Sequence, residues 1–232
     1  MSTEQLAVVQ GWADTRETLK RWNARPSSAL TPWGIASVGV AVVLLLATYV
    51  VALLSTPDPS GASFPGVSHP ADLGDFGFVL FRNGLVLALH SLACVAGFMA
   101  GSSLPQVAEG YRGLWRKIHE WAGPLAIAFV GAATLFSLAT QAYTLGGGAS
   151  TLAADLGISP LTLVIGILPH ALPELFALFL PLAAWTLASR RKRWDVLLAA
   201  TFVTTGIAIP FLLLAGAVEV FVSPHLLLAL GA

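Results

Sequence analysis

The chain has 232 residues, 56% of them hydrophobic and only 10% charged, with twelve basic residues balanced by twelve acidic ones. A mean hydropathy of +0.79 is far above that of a water-soluble domain, so lipid must be the solvent for much of its surface. The balanced charge, with no basic patch interleaved with aromatics, argues against nucleic acid as a partner. The single cysteine, Cys94, excludes an intramolecular disulfide and a cysteine-rich metal site.

At the start of the chain, Leu6, Val9, Trp12, Leu19 and Trp22 recur at spacings of three and seven, with basic residues between them and Pro26 closing the stretch. That pattern predicts an amphipathic helix on the cytoplasmic leaflet, within a segment 1–30 set apart from a transmembrane domain 31–232. A loose tail is the alternative. The polar character of this segment speaks against a cleavable leader.

A helix needs about 20 apolar residues to cross the hydrocarbon, and five stretches qualify. Residues 33–54 carry no charge, whereas residues 76–101 contain Arg82, Asn83 and His90. Residues 121–145 form the third stretch. The fourth, 161–189, is interrupted by Pro169, Pro173 and Pro181, and the fifth, 195–221, contains Pro210. The apolar tail 226–230 is too short to span. The intervening segment 56–74 is rich in Pro, Gly, Ser and Asp and reads as irregular.

Arg16, Lys20, Arg21 and Arg25 precede the first span. Arg112, Arg116 and Lys117 lie between the second and third, and Arg190, Arg191, Lys192 and Arg193 between the fourth and fifth. Segments 55–75 and 146–160 contain no lysine or arginine. By the positive-inside rule the expectation is an all-α bundle of about five transmembrane helices in a prokaryotic cell membrane, amino terminus inside and carboxyl terminus outside. Trp33, Trp115, Trp121 and Trp194 fall where a cytoplasmic aromatic belt would lie. His119 and His69 read as loop residues, and Gly97 and Gly101 as a helix-packing pair.

Ionisable groups within spans are costly and usually face a protein interior or a wet cavity. Here they are Arg82, His90, His170, Glu174 and Glu219. His170 and Glu174 are four residues apart, hence on one helix face. Asn83, His90 and Cys94 on the second span, Gln141 on the third, and Thr201, Thr205 and Glu219 on the fifth extend a polar seam between helices. If Pro169 opens the fourth helix, 161–168 becomes a re-entrant or surface segment and Glu174 lies about 7 Å below the outer end of its helix. The polar groups then converge in an outward-facing pocket. If the helix starts near residue 161, the cluster sinks and loosens.

His170, Glu174 and Glu219 offer nitrogen and oxygen ligands for a divalent metal, zinc being the first choice, with His90 or His225 in reserve. A water on such an ion would be a hydrolytic nucleophile, which makes these three the catalytic candidates, with Arg82, Asn83, His90 and Gln141 supporting. Two other readings remain open: an ion pair of Arg82 with Glu174 or Glu219 that ties helices together, and an ion-coupled transport path.

The stretch Gly166-Ile-Leu-Pro-His170-Ala-Leu-Pro-Glu174-Leu-Phe-Ala177 resembles the Pro-His-Gly-x-x-Glu-x-x-Ala signature of the stage II sporulation protein M family. Arg82-Asn83-Gly84 and the segment from Ala217 to Pro224 resemble two further family segments, so that the likeness covers roughly residues 76–224. Ala171 replaces the usual glycine, and Gln141-Ala142 stands in place of Asn-Gly. The resemblance implies an all-helical membrane protein of the cell envelope and carries over His170, Glu174 and Glu219. The family's namesake works with peptidoglycan-degrading partners during engulfment, and relatives in circular bacteriocin clusters are implicated in maturing or exporting a membrane-active peptide. The resulting expectation is a pocket that handles a peptide or envelope substrate, as a metal-dependent peptide hydrolase or maturation enzyme. The rivals are a non-catalytic scaffold for envelope hydrolases and a transporter or export component. A homo-oligomer is compatible with all three.

Overall fold

The structure is a computed structural model that describes residues 7–99, 101 and 112–231. Its helices are α1 (Ala7–Ala24), α2 (Ser27–Leu54), α3 (Leu73–Phe98), α4 (Leu114–Asp155), α5 (Pro160–Arg190), α6 (Leu197–Phe221) and α7 (Ser223–Gly231), with a 3₁₀ turn at Trp194–Val196 before α6. Among the described residues there is no strand, and five helical stretches are long and apolar enough to cross a membrane. The chain is therefore a multi-pass helical membrane protein, the only regular backbone that satisfies its own hydrogen bonds in lipid apart from a closed barrel.

The centre of the bundle is α5. Its residues from Ala177 to Trp185 are buried in an unbroken run, which fits a helix apolar on every side. Phe179, Leu182 and Trp185 pack against Ala41 and Leu44 of α2, Cys94 and Phe98 of α3, and Leu197 of α6. Polar side chains from two neighbours bond its backbone close to Pro181, whose missing N–H opens the helical ladder. Ser37 donates to the Phe176 carbonyl at 2.6 Å, His90 Nδ1 to the Leu178 carbonyl at 2.7 Å, and the Cys94 thiol to the Pro181 carbonyl at 3.3 Å. These bonds are the helix-to-helix glue that lipid-embedded bundles use.

One boundary falls at the earlier of two expected starts, and another differs from the sequence expectation. Ser159 caps the fourth helix by accepting from Thr162 N–H, and Pro160 occupies its first turn. The helix then runs unbroken through Pro169, Pro173 and Pro181 to Arg190, so 161–168 is its opening, in line with the start near residue 161 rather than the one at Pro169. The third span does not end at residue 145. The intervening segment was expected to begin at Gly146, yet α4 continues to Asp155, and Gly146 permits close contact with α2. A Cβ at Gly146 would lie 2.5 Å from Val51 Cβ and 2.9 Å from the Thr48 carbonyl oxygen.

The extra turns of α4 anchor the irregular segment that follows α2. Thr151 Oγ1 accepts from Asp58 N–H at 3.0 Å, Asp155 accepts from Ala62 N–H at 2.8 Å, and Ser150 donates to the Ser55 carbonyl at 3.0 Å. Within the segment, the Ser60 N–H and hydroxyl hold the Asp58 carboxyl below its usual range. Asp72 and Asp75 form a reciprocal capping box that starts α3. Pro224 packs on Gly66, and Leu227 of α7 packs on Gly166 of α5, so α7 closes this same end of the bundle.

At the opposite end α1 lies against α6 and α3, with Gly11 touching Phe98 and Leu198. Its buried face is Gly11, Thr15 and Thr18, and Trp22 meets Trp33 edge-on at 4.9 Å. Trp12 is 65% exposed and meets the ring of Phe202 edge-on at 6.3 Å. Leu6 and the side chains of Val9, Trp115, Arg116 and His119 lie outside the described residues. The described basic clusters before α2, before α4 and after α5 sit at the ends of their helices that gather here.

Candidate functional site

Three helices deliver charge to one place. Arg82 sits two turns into α3, Glu174 in the first half of α5, and Glu219 in the last turn of α6. Arg82 Nη2 lies 3.9 Å from Glu219 Oε1. Glu174 faces Glu219, Arg82 and Asn83. One guanidinium thus confronts two carboxyl groups. The Arg82 side chain keeps 53% of its surface exposed and Glu219 only 14%, so the pair is sunk on one side and open on the other.

The cluster forms part of the wall of a cavity of about 470 Å³. Its remaining walls are largely apolar: Leu44 and Leu45 of α2, Phe78 and Val79 of α3, Leu145 of α4, and Leu163 and Ile167 of α5. Phe64, Pro65 and His69 of the segment between α2 and α3 cover it. His170 also lines the cavity, one turn before Glu174. The continuous α5 therefore does not loosen the grouping of Glu174 with Arg82, because α3 and α6 bring their charged groups to the same level.

His170 is committed elsewhere. Its Nδ1 meets Ser223 Oγ at 2.6 Å, and both residues are buried. This contact joins α5 to the first residue of α7. Among the described residues, no three His, Cys, Asp or Glu side chains converge where one metal ion could hold them. His90 points its Nδ1–H at α5 and packs on Phe179, with ring centroids 5.9 Å apart. Gln141 stays on α4, donating to Ser137 Oγ at 3.0 Å, and His225 is exposed. Of the residues singled out from the sequence, Arg82, Asn83, Glu174 and Glu219 come together. His170 borders the group, and His90 and Gln141 do not join it.

Two participants were not singled out. Ser223 was visible only as part of the closing segment around Pro224. Thr48 lines the cavity and is 4% exposed, yet its hydroxyl has no hydrogen-bond partner among the described residues. A hydroxyl within the uncharged first span was the available signal, one that Thr48 shares with Ser37 and Tyr49. Asn83 Nδ2 and Glu219 Oε2 are likewise buried without a hydrogen-bond partner among the described residues, and buried polar groups of this kind are ordinarily satisfied by a partner, a water or an ion.

A multi-pass helical bundle with a charged, partly open intramembrane cavity is the class of protein these features define. Residues 121–224 match the family model described as Stage II sporulation protein M. The matched segment includes His170, Glu174 and Glu219, whereas Arg82 and Asn83 lie before it. No curated protein and no solved structure matches the chain.

Proposed function

We propose that this protein is a cell-envelope scaffold or export component that uses the cavity, opening on the extracytoplasmic side, to hold a segment of a peptide substrate or of a partner protein. The observation that carries this reading is the Arg82–Glu174–Glu219 cluster set in an otherwise apolar cavity of about 470 Å³. Such a surface offers apolar contact for side chains and a few fixed polar groups for orientation, the usual composition of a binding site. The geometry favours holding over cutting. The His170–Ser223 pair resembles a base beside a nucleophile, but Ser223 is fully buried, so no substrate carbonyl reaches it. The basic clusters collected at the far end of the bundle support the outward orientation of the cavity.

A photoreactive benzoylphenylalanine at Phe78 or Leu145, both lining the cavity, tests this in cells. Discrete adducts to a peptide or protein, lost in Glu174→Gln and Glu219→Gln, are the expected result. Labelling no different from that at Phe136, exposed on α4 away from the cavity lining, rejects the proposal.

A second reading, a metal-dependent peptide hydrolase, is favoured by His170, Glu174 and Glu219 lining the same cavity. It requires His170 to release Ser223 and Glu219 to turn from Arg82. One equivalent of zinc on the purified protein, lost in His170→Ala and Glu174→Ala, selects this reading. No stoichiometric ion, together with undiminished activity in cells for both variants, removes it.

A further inference from the structure

We infer that the group seated at the floor of this cavity is a primary ammonium carried by an apolar peptide, as at a free peptide amino terminus. This deepens the peptide-holding reading and rests on it.

Charge carries the first part of the argument. Arg82 supplies one fixed positive charge against two carboxyl groups and approaches only Oε1 of Glu219, at 3.9 Å. Glu219 Oε2 is buried without a partner among the described residues, and Glu174 sits beside it. The cluster therefore keeps one buried carboxyl oxygen, Glu219 Oε2, without a donor among the described residues. Unpaired charge in a low-dielectric wall is expensive, so an incoming cation gains more here than at an exposed carboxylate.

The second part is independent of the carboxyl groups. Thr48, 4% exposed, lines the same cavity from α2 with an unpartnered hydroxyl. An ammonium has three N–H donors. Glu219 Oε2, Glu174 and Thr48 Oγ1 offer acceptors to the same cavity from three different helices. The apolar walls from Phe78, Val79, Leu145, Leu163 and Ile167 then suit the uncharged remainder of the ligand. A guanidinium fits less well, since its planar fork calls for a bidentate carboxylate and Glu219 already offers one oxygen to Arg82.

Calorimetry on the full chain in lipid nanodiscs, with empty nanodiscs subtracted, tests the inference. The probes are the tripeptide amide Leu-Leu-Phe with a free amino terminus and its N-acetylated twin. The free amine should bind about tenfold more tightly, the scale of one charge-assisted hydrogen bond. Glu219→Gln should lower it to the level of the acetylated probe while leaving that probe unaffected. Because the two probes are compared on the unaltered protein, the test survives a variant that fails to fold. Equal binding of both probes overturns the ammonium assignment and leaves the peptide-holding reading standing. Binding of neither overturns both. Displacement of the free amine by one equivalent of zinc, in a manner that depends on Glu219, identifies the bound cation as a metal and also overturns the assignment.

Discussion

Gly146 shows how a single missing side chain sets the path of two spans. The contact between α2 and α4 is closest there, and a methyl group would collide with Val51 Cβ at 2.5 Å and with backbone at Thr48. Backbone cannot yield as a flexible side chain can, so Gly146→Ala should cost about 1–3 kcal/mol of stability. Thermal unfolding of the detergent-solubilised variant, compared with Gly147→Ala, where a Cβ meets nothing within 4 Å, measures it. The same residue explains what the sequence concealed. The third span was expected to end at residue 145, and only a neighbouring helix reveals that Gly146 is a contact surface within a continuing helix. The ionisable residues were more legible, since charge inside an apolar span has few places to go. Arg82, Glu174 and Glu219 meet as that cost demands. The commitment of His170 to Ser223 depended on where a short helix beyond the fifth span folds back, and no spacing within the spans encodes it.

At the scale of elements, α5 and α7 belong together. The prolines of α5 suggested a break, but a helix enclosed by others tolerates them because neighbouring hydroxyl, imidazole and thiol groups bond its carbonyls. The short apolar tail, correctly read as unable to span, is a helix that rests on Gly166 and encloses Leu227 completely. Leu227→Ala should destabilise the bundle by roughly 2–5 kcal/mol through the cavity it leaves. It should also loosen the Ser223 contact with His170. Unfolding in detergent measures the first effect, and the imidazole nitrogen chemical shifts of His170 report the second. Loss of stability with an unchanged His170 signal would show that α7 does not hold that contact.

For the whole molecule, the number and order of the spans were legible from apolar length and from the spacing of lysines and arginines. The ends of the helices were less so, because they are set by caps and by tertiary contact. The orientation expected from those charges is open to direct measurement. Cys94 is buried, so Cys94→Ala supplies a background for introduced thiols. With the amino terminus inside, Ser60→Cys should react with a membrane-impermeant maleimide added to intact cells, and Lys192→Cys only after permeabilisation. The reverse pattern would invert the topology and close the cavity to the outside.

The hydrogen bonds from Ser150, Thr151 and Asp155 to the segment after α2 have a kinetic consequence. They pin Ala62 beside Phe64, Pro65 and His69, which line the cavity, so rearrangement of that part of the wall is timed by how often those few bonds open together. Asp155→Ala should therefore raise amide hydrogen exchange at Ala62.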